Sequence, residues 1–279
     1  MTILQVPQSV IEENVFYALK EDVGEGDITA ELIPHENVSL ATVFSRESCI
    51  FCGLEWFEET YRQLDEEILI DWFVSDGDSI KPGQVICTIS GSSRNILTGE
   101  RTALNFIQTL SATATVSKKY ANKVKGTGTT VLDTRKTIPG LRMAQKYAVS
   151  CGGCKNHRLG LFDAFLIKEN HIKACGGIEN AVNAARFYNP DLKIEVEVET
   201  LDELQQAINA GTDRVLLDNF DIETLRQAVA VCQGKVISEA SGNITVDNIK
   251  DVAGTGVDYI STGALTKNIK AVDLSMRFT

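Results

Sequence analysis

The sequence predicts an α/β protein in which a parallel α/β-barrel follows a smaller α+β unit. After Lys125 the chain alternates short β-rich runs with helical stretches, which is typical of parallel strands joined by crossover helices. Before that point, helices and strands do not alternate regularly. Successive runs in the C-terminal part also end in polar or small residues, as expected where strand ends meet on one face of a barrel.

Composition limits the classes of protein to which this chain can belong. Its 279 residues are 43% hydrophobic, which is enough for one large domain or two small ones. The N-terminus has no basic stretch leading into an apolar run, and no segment approaches the roughly 18 uninterrupted apolar residues of a membrane span. The seven cysteines are odd in number and mostly scattered. We therefore expect a soluble, cytoplasmic protein with reduced thiols.

The first hundred residues predict mixed helices and strands. The pattern indicates a helix near residues 9–21 and apolar alternation at residues 40–51. Two β-rich runs, IDWFVSDGDSI and QVICTISG, are joined by a turn that contains Gly77, Pro82 and Gly83, which favours a hairpin-like connection. This half is predicted to be a small α+β unit.

A long helix is predicted at residues 98–125. Leu104, Ile107 and Leu110 recur at helical spacing, and Thr98 is a candidate N-cap. We expect this helix to join the two domains.

Six β-rich runs follow, namely TTVLDTR, FDAFLIK, LKIEVEVET, DRVLLDN, KVISEASG and VDYISTGA. Their spacing of roughly 20 to 30 residues matches βα units, and about six or seven such units can close into a barrel. An open doubly wound sheet is the alternative. Its dinucleotide-binding form has no support, because no GxGxxG motif follows the first run.

Chemically capable residues stand at the ends of these runs. They are Arg135 and Lys136, Lys168, Glu197 and Glu199, Asp218, Ser241 and Gly242, and Gly263. A single charged strand end is usually a solvated edge. Six successive strands with this feature indicate one shared site.

The charge distribution indicates what this site binds. A net charge of -11 argues against nucleic acid or an anionic membrane as the principal partner. Residues 133–173 are an exception, because they contain eight basic and three acidic residues and so carry a net charge of +5. Such a run is often only a solvated face. Its overlap with the strand ends instead predicts a pocket for a small anionic substrate.

The cations of this segment include both arginine and lysine. Arginine offers a planar fork that matches a carboxylate or phosphate, whereas lysine acts as a point charge. Together they suit a substrate with more than one anionic group. His157 alone is as consistent with a structural role as with a functional one, and the neighbouring Arg158 favours function.

Two acids, Glu197 and Asp218, end adjacent strands among these cations. Carboxylates there would bind a hard divalent ion or accept hydrogen bonds from sugar hydroxyls, and the alternative is an ion pair with the arginines. The alternation in EVEVET places Glu195, Glu197 and Glu199 on one face, so the register decides which of them faces the ligand. We choose Glu197.

The last two strand ends, EASGN and STGAL, carry small residues whose backbone N–H groups can approach a phosphate closely. Cys151 and Cys154 lack a second cysteine pair at zinc-ligand spacing. We interpret them as incidental thiols in a turn.

Longer motifs resemble one enzyme family. They are GERTALN, DTRKTIPGLR, NHRLG followed by DAFLIKENH, EVEVET, LLDN, EASG and STGAL, in this order. Together they resemble the quinolinate phosphoribosyltransferase family from about residue 21 to the end of the chain. The resemblance implies an N-terminal α+β sandwich over residues 1–110 and an incomplete α/β-barrel over residues 111–267. A tail from about residue 268 to 279 would pack back on the sandwich.

The resemblance also implies the reaction and the assembly. Quinolinate and phosphoribosyl pyrophosphate would give nicotinate mononucleotide, pyrophosphate and CO2, in de novo NAD biosynthesis. Mg2+ would be the cofactor. The protein would be a homodimer, or a hexamer, whose active sites are completed by the neighbouring subunit.

Site residues follow from the resemblance position by position. The pocket for the two quinolinate carboxylates would contain Arg135, His157, Arg158 and Lys168, with Arg101 supplied by the neighbouring subunit. Lys136 and Lys168 would also lie toward phosphoribosyl pyrophosphate, and Thr134 would be a further substrate-binding residue. Catalysis would depend on Lys136, Lys168, Glu197 and Asp218. The two acids would lie toward the ribose hydroxyls and Mg2+. The phosphate of phosphoribosyl pyrophosphate would meet Ser241, Gly242, Asn243, Gly263 and Ala264.

Three alternatives remain open. A related phosphoribosyltransferase-like protein could use the same fold for another substrate. A Schiff-base lyase would use Lys168 as nucleophile, but this needs a lysine isolated in an apolar pocket, whereas Lys168 has cationic neighbours and Glu169 beside it. A non-catalytic module would bind the anion without releasing pyrophosphate.

Overall fold

The computed structural model describes residues 3–278. The strands in chain order are β1 (Val38–Ser45), β2 (Cys49–Ile50), β3 (Leu69–Trp72), β4 (Ser79–Ile80), β5 (Val85–Ser92), β6 (Thr130–Leu132), β7 (Phe165–Ile167), β8 (Ile194–Val198), β9 (Arg214–Asp218), β10 (Ile237–Ser241), β11 (Tyr259–Ser261) and β12 (Leu274–Phe278). The α-helices are α1 (Gln8–Val23), α2 (Leu54–Leu64), α3 (Ser93–Lys123), α4 (Arg142–Cys151), α5 (Glu169–Cys175), α6 (Ile178–Tyr188), α7 (Leu201–Asn209), α8 (Ile222–Cys232), α9 (Ile249–Ala253) and α10 (Ala264–Lys267).

Backbone contacts divide the chain into two units. The first contains residues up to 118, residues 137–153 and residues from 266 onward, and the second contains residues 119–136 and 154–265. The boundary at residues 118 and 119 falls inside α3. This helix therefore contributes residues to both units.

The first unit is built on a four-stranded antiparallel sheet in the order β12-β1-β5-β3. The C-terminal strand β12 pairs with β1, where Val43 lies opposite Met276. Apolar side chains of this sheet form one core with α2 and α3, and a second core lies around Trp56, Leu110 and Ala148. The predicted helix at residues 9–21 is confirmed as α1 and places Ile11 and Val15 in the second core.

The predicted hairpin-like connection is confirmed with one addition. Strands β3 and β5 pair antiparallel, and the chain between them forms β4, which pairs with β2. Gly77 and Gly83 both have positive φ, at +94° and +78°, which side chains disfavour and glycine allows.

The predicted start of the long helix at Thr98 is wrong. Helix α3 begins at Ser93, directly after β5, and Thr98 lies inside it. The Thr98 hydroxyl donates to Oδ2 of Asp27 at 2.9 Å, whereas Oγ of Ser92 accepts the backbone N–H of Asn95. A threonine whose hydroxyl makes a tertiary contact resembles an N-cap in the sequence, because both positions favour the same residue types.

The second unit contains a six-stranded parallel sheet in the order β6-β11-β10-β9-β8-β7. Each of the six predicted runs supplies one strand, which confirms the parallel βα interpretation. From β7 to β11 the strands follow one another in a single direction, as in a barrel, whereas a doubly wound sheet reverses direction at its centre. Among the described residues, β6 and β7 do not pair with each other, so the barrel is incomplete.

Polar residues at the strand ends also begin the helices that follow. Thr200 Oγ1 accepts the N–H of Glu203 at the start of α7, and Asp221 Oδ1 accepts the N–H of Thr224 at the start of α8. Such N-caps satisfy free N–H groups in the first turn of each crossover helix and so fix where the helix begins.

Two further expectations can be compared with residues 3–278. None of the helices there combines the length and the apolar character that crossing a bilayer requires. All seven cysteines are free thiols, and Cys175 is exposed.

Candidate active site

Four of the predicted site residues lie at the carboxyl edge of the parallel sheet, namely Lys168, Glu197, Asp218 and Ser241. Asp218 is the last residue of β9 and lies in register with Ser241, the last residue of β10. Lys168 follows the last residue of β7, and Glu197 is the fourth residue of β8. Because parallel strands end at the same edge, these residues form one site rather than four separate surface positions.

The end of β6 carries the loop that contains His157. The Asp133 side chain is fully buried, and its Oδ1 accepts the backbone N–H of His157 at 2.8 Å. Its Oδ2 accepts the side-chain amide of Asn156 at 2.6 Å. Asp133 therefore attaches the NHR segment to the barrel, a role that we did not assign from the sequence although the residue begins the DTRKT motif.

Arg135 and Arg158 form the cationic part of the site. Both are half-buried, and Nε of Arg135 is buried with no hydrogen-bond partner among the described residues. Burial and the charge of Arg135 lower the pKa of Arg158. Within residues 3–278, the Arg158 guanidinium makes one hydrogen bond, a long contact of 3.3 Å from Nη1 to the carbonyl of Ala164. Two neighbouring guanidinium groups with unused donors favour an anionic ligand.

Lys168 and Glu197 form an ion pair at the ends of β7 and β8, joining Nζ to Oε2. Glu197 is mostly shielded, whereas the Lys168 side chain remains 43% exposed. The lysine is therefore held by a carboxylate and still accessible to a ligand. The sequence left open an ion pair between Glu197 and an arginine. Glu197 does form an ion pair, but with a lysine.

Asp218 is held by Asn219, a residue that sequence reasoning missed. The Asn219 side-chain amide donates to Oδ2 of Asp218 at 2.7 Å, and its own Oδ1 accepts from the Asn243 amide at 3.2 Å. Asn219 has a φ of +56°, a conformation that asparagine tolerates better than most residues. A Cβ atom at Gly242 would lie only 2.2 Å from Oδ1 of Asn219, so glycine is required there.

The small residues of EASGN border a cavity of about 410 Å³ that is lined in part by Asn219, Ser241, Gly242 and Asn243. Gly263 and Ala264 of STGAL are half-buried, and the Ala264 N–H donates to the hydroxyl of Thr262. Thr262 is tied to the end of β6 through its backbone N–H, which donates to the carbonyl of Leu132 at 3.1 Å. These contacts bring both small-residue segments to the carboxyl edge of the sheet.

His157 lies between two buried acids. Its Nε2 is 2.9 Å from Oε2 of Glu195 and 3.4 Å from Oε1 of Glu239. Its Nδ1 lies 2.8 Å from the backbone nitrogen of Arg158, whose N–H it accepts when the ring is neutral. Burial lowers the pKa of His157, but the contacts with both carboxylates outweigh burial and raise this pKa to about 9.

Glu195 and Glu239 were not assigned to the site from the sequence, although both stand inside the quoted motifs. Alternation in EVEVET does place Glu195 and Glu197 on one face, as expected. Glu195 is 6% exposed and contacts His157, Glu197 contacts Lys168, and Glu199 is exposed beyond the strand end. The strand register therefore gives the three glutamates different burial, with Glu195 the most buried and Glu199 exposed.

Three predicted residues have simpler surroundings. Thr134 is half-buried, and its hydroxyl accepts the backbone N–H of Lys136, whose side chain is exposed. Arg101 is an exposed residue of α3 in the first unit. These positions do not by themselves assign the residues to the pocket.

A second cluster of potential metal ligands lies in the first unit and contains Cys52, Asp76 and Cys151. Oδ1 of Asp76 accepts the N–H groups of Gly53 and Leu54 at the start of α2. Its Oδ2 accepts the Tyr147 hydroxyl at 2.6 Å. Because this carboxylate is already engaged, the cluster is best explained as a helix cap with adjacent thiols.

Comparison with known proteins identifies the family. Residues 27–111 match the family "Quinolinate phosphoribosyl transferase, N-terminal domain", and residues 113–277 match "Quinolinate phosphoribosyl transferase, C-terminal domain". A probable carboxylating nicotinate-nucleotide pyrophosphorylase of Bacillus subtilis is 41% identical over 93% of this chain and 90% of its own length. A mitochondrial decarboxylating quinolinate phosphoribosyltransferase of Nicotiana tabacum is 36% identical over 97% of this chain and 83% of its own.

Solved structures agree with these sequences. The nicotinate-nucleotide pyrophosphorylase of Francisella tularensis superposes with a TM-score of 0.96 at 49% identity, covering 99% of this chain and 98% of that one. The corresponding protein of Ehrlichia chaffeensis gives a TM-score of 0.93 at 33% identity, covering 99% and 100%. Both family domains, the parallel barrel and the motifs at its carboxyl edge therefore place this chain in the quinolinate phosphoribosyltransferase family.

Proposed function

We propose that this protein transfers the phosphoribosyl group of phosphoribosyl pyrophosphate to quinolinate and releases pyrophosphate and CO2, giving nicotinate mononucleotide for NAD biosynthesis. The observation that carries the proposal is the pair Arg135 and Arg158. Both side chains are half-buried, and burial together with the charge of Arg135 lowers the pKa of the Arg158 guanidinium. A dianionic substrate relieves the repulsion between the two positive charges, and its two carboxylates match two arginine forks.

On the quinolinate side, the residues chiefly orient the substrate. Arg135, Arg158 and Lys168 would bind the carboxylates and direct the pyridine nitrogen toward C1 of the ribose. The nitrogen forms a bond to C1 while the bond from C1 to pyrophosphate breaks. Holding the two reactants in this geometry lowers the activation free energy, because the entropy of bringing them together is lost on binding rather than in the reaction step.

Decarboxylation follows from the product of that step. Once the nitrogen is alkylated, the ring is cationic and accepts the electron pair that the departing 2-carboxylate leaves on carbon. CO2 is released, and the ring carbon takes up a proton. This step needs no protein nucleophile, which agrees with Lys168 being paired to Glu197 rather than isolated as a neutral amine.

On the phosphoribosyl side, Glu197 and Asp218 would face the ribose. Positive charge develops at C1 as pyrophosphate leaves, and nearby carboxylates stabilise it. The small residues Ser241, Gly242 and Gly263 would admit the 5-phosphate to backbone N–H groups. The cavity beside Asn219 and Asn243 supports this placement.

The same two acids fit Mg2+. Their hydrogen bonds within residues 3–278 use Oε2 of Glu197 and Oδ2 of Asp218, which leaves one oxygen of each carboxylate for a ligand. Hard oxygen donors of this kind suit Mg2+, often through water. When bound, the ion would neutralise charge on the leaving pyrophosphate.

The direct test is a reaction of the purified protein with quinolinate, phosphoribosyl pyrophosphate and Mg2+, in which nicotinate mononucleotide and CO2 are measured. Nicotinate is supplied in parallel as a competing substrate. Product from nicotinate without CO2 would indicate the related phosphoribosyltransferase on the same fold. Quinolinate binding without pyrophosphate release would indicate the non-catalytic module, and a borohydride-stable adduct at Lys168 would indicate the lyase.

We also propose a homodimer, or a hexamer built from it, in which Arg101 completes the neighbouring active site. The exposure of Arg101 on α3 supports this, because an exposed arginine can reach a second subunit. The free thiols support a reducing compartment, and we propose the cytoplasm. Light scattering would determine the assembly, and fractionation of cells that produce the protein would determine its location.

A further inference from the structure

Two glutamates in the barrel interior are not explained by contact with a substrate. Glu195 on β8 is 6% exposed and Glu239 on β10 is fully buried. On β9, which lies between these two strands, Leu216 is aligned with Glu239 and Arg214 is aligned with Glu195. Leu216 is buried, so an apolar side chain fits beside Glu239 and packing alone does not require an acid there.

The two acids belong to a chain of alternating charges. Oε2 of Glu195 lies 2.9 Å from Nε2 of His157, and Oε1 of Glu239 lies 3.4 Å from the same nitrogen. On its other side, Oε2 of Glu239 is 2.9 Å from Nη1 of Arg214. The Arg214 guanidinium in turn lies 4.5 Å from the centre of the Tyr259 ring. Each buried carboxylate therefore has a cationic or proton-donating neighbour, as burial of charge demands.

This chain of contacts fixes the imidazole from several directions. The carboxylates contact the Nε2 side of the ring, Nδ1 lies 2.8 Å from the backbone nitrogen of Arg158, and Asp133 accepts the backbone N–H of His157. Rotation of the ring would remove the contact between Nδ1 and the peptide nitrogen of Arg158, which is the residue that presents the guanidinium. A change at Glu195 or Glu239 is thus transmitted to the anion pocket without either acid touching the substrate.

We propose that Glu195 and Glu239 are positioning residues of the quinolinate pocket, which hold the His157 ring and, through it, Arg158 in the orientation that receives the substrate carboxylates. This inference rests on the proposed function. Arg214 is the third member of this arrangement. It neutralises the charge of Glu239 and so reduces the repulsion between the two acids and the dianionic substrate. The His157, Glu195 and Glu239 side chains could also surround a metal ion, but Arg214 already supplies positive charge on Glu239.

The test uses the full-length protein with Glu195→Gln and Glu239→Gln, which keep the side-chain size and remove the charge. We expect the Kd for quinolinate to rise by about tenfold or more in each variant, since one well-placed contact corresponds to roughly that factor. The Kd for phosphoribosyl pyrophosphate with Mg2+ should stay within about twofold, because a much smaller free-energy change is expected there. Glu195→Asp, which retains the charge, should recover part of the quinolinate affinity.

A matched control separates positioning from general stability. Glu59 is a buried glutamate of the first unit, 3% exposed and paired with Arg62. Glu59→Gln should lower the melting temperature without changing the Kd for quinolinate. If Glu239→Gln fails to fold because Arg214 is left unpaired, the double variant Glu239→Gln/Arg214→Met removes both charges. It should fold and still bind quinolinate weakly.

Nitrogen NMR provides a readout that a purely structural role would not move. The chain has three histidines, so the His157 ring signals can be assigned with His157→Gln. The Nε2 signal should shift in Glu195→Gln and remain unchanged in Glu59→Gln. Unchanged quinolinate affinity in both glutamine variants, with an active wild type, would overturn this inference alone. A wild type that neither binds quinolinate nor forms nicotinate mononucleotide would instead overturn the proposed function.

Discussion

Replacing Arg158 with alanine should weaken quinolinate binding by about two orders of magnitude while leaving the fold intact. Among the described residues the guanidinium makes one long hydrogen bond, 3.3 Å to the carbonyl of Ala164, so the fold depends little on it. A bidentate contact between arginine and a carboxylate contributes about 3 kcal/mol, which corresponds to roughly a 150-fold change in Kd. Relief of repulsion with Arg135 offsets part of this loss, because burial and that charge already disfavour the charged form of Arg158.

Calorimetric titration with quinolinate measures the effect directly, and circular dichroism checks the fold. Arg158→Lys should recover only part of the affinity, since an ammonium keeps the charge but not the planar fork. Lys173→Ala is the matched control, because Lys173 belongs to the same basic segment and lies exposed on α5. A folded Arg158→Ala protein that binds quinolinate within about threefold of the wild type, a difference below 1 kcal/mol, would refute the reasoning.

Three other predictions concern different parts of the molecule. Asn219→Gly keeps the positive φ but removes the amide that holds Asp218, so the Kd for phosphoribosyl pyrophosphate should rise about tenfold by calorimetry, the loss of one hydrogen bond to a charged group; an unchanged Kd would contradict this role. The pKa of His157 is raised from 6.5 to about 9, so its contribution to stability is fully present below pH 6.5 and is lost as the pH rises through about 9. Urea unfolding at pH 6, 8 and 10 should therefore show a steeper decline for the wild type than for His157→Gln, and equal slopes would show that the histidine is not responsible. Mixing Arg101→Ala chains with Arg135→Ala chains should restore some activity in hybrid dimers, and no recovery despite proven subunit exchange would exclude a shared site.

The strands of the barrel could be predicted because each is a short apolar run bounded by polar residues, a pattern that depends only on burial of the strand. The start of α3 could not, because Thr98 has the residue type of an N-cap while its hydroxyl contacts Asp27. Local propensity does not distinguish a cap from a tertiary hydrogen bond. The pairing of β2 with β4 was equally hidden, since a two-residue strand carries no periodicity.

Within the candidate site, the sequence indicates which residue types meet but not how deep each one lies. Alternation assigns Glu195 and Glu197 to the same face of β8, and only the strand register shows that one contacts His157 and the other Lys168. The sequence around Glu239 draws attention to the small residues after it, at the strand end, because these have phosphate-binding character. An acid at the centre of a buried strand is nevertheless a signal, since burial of a carboxylate is costly unless a cation is close.

The basic segment at residues 133–173 shows why a sum of charges is a weaker guide than the positions of the charges. The segment is divided between both units, with Arg142 and the fully buried Lys146 on α4 in the first unit and Arg135 and Arg158 in the second. Its net charge of +5 therefore does not describe one pocket. The anion-binding character of the candidate site comes instead from a few cations. The acids near them are paired with other cations, as Glu239 is with Arg214. Glutamates and arginines can then occupy one barrel, because each buried acid is balanced locally and the guanidinium groups at its edge remain available to the substrate.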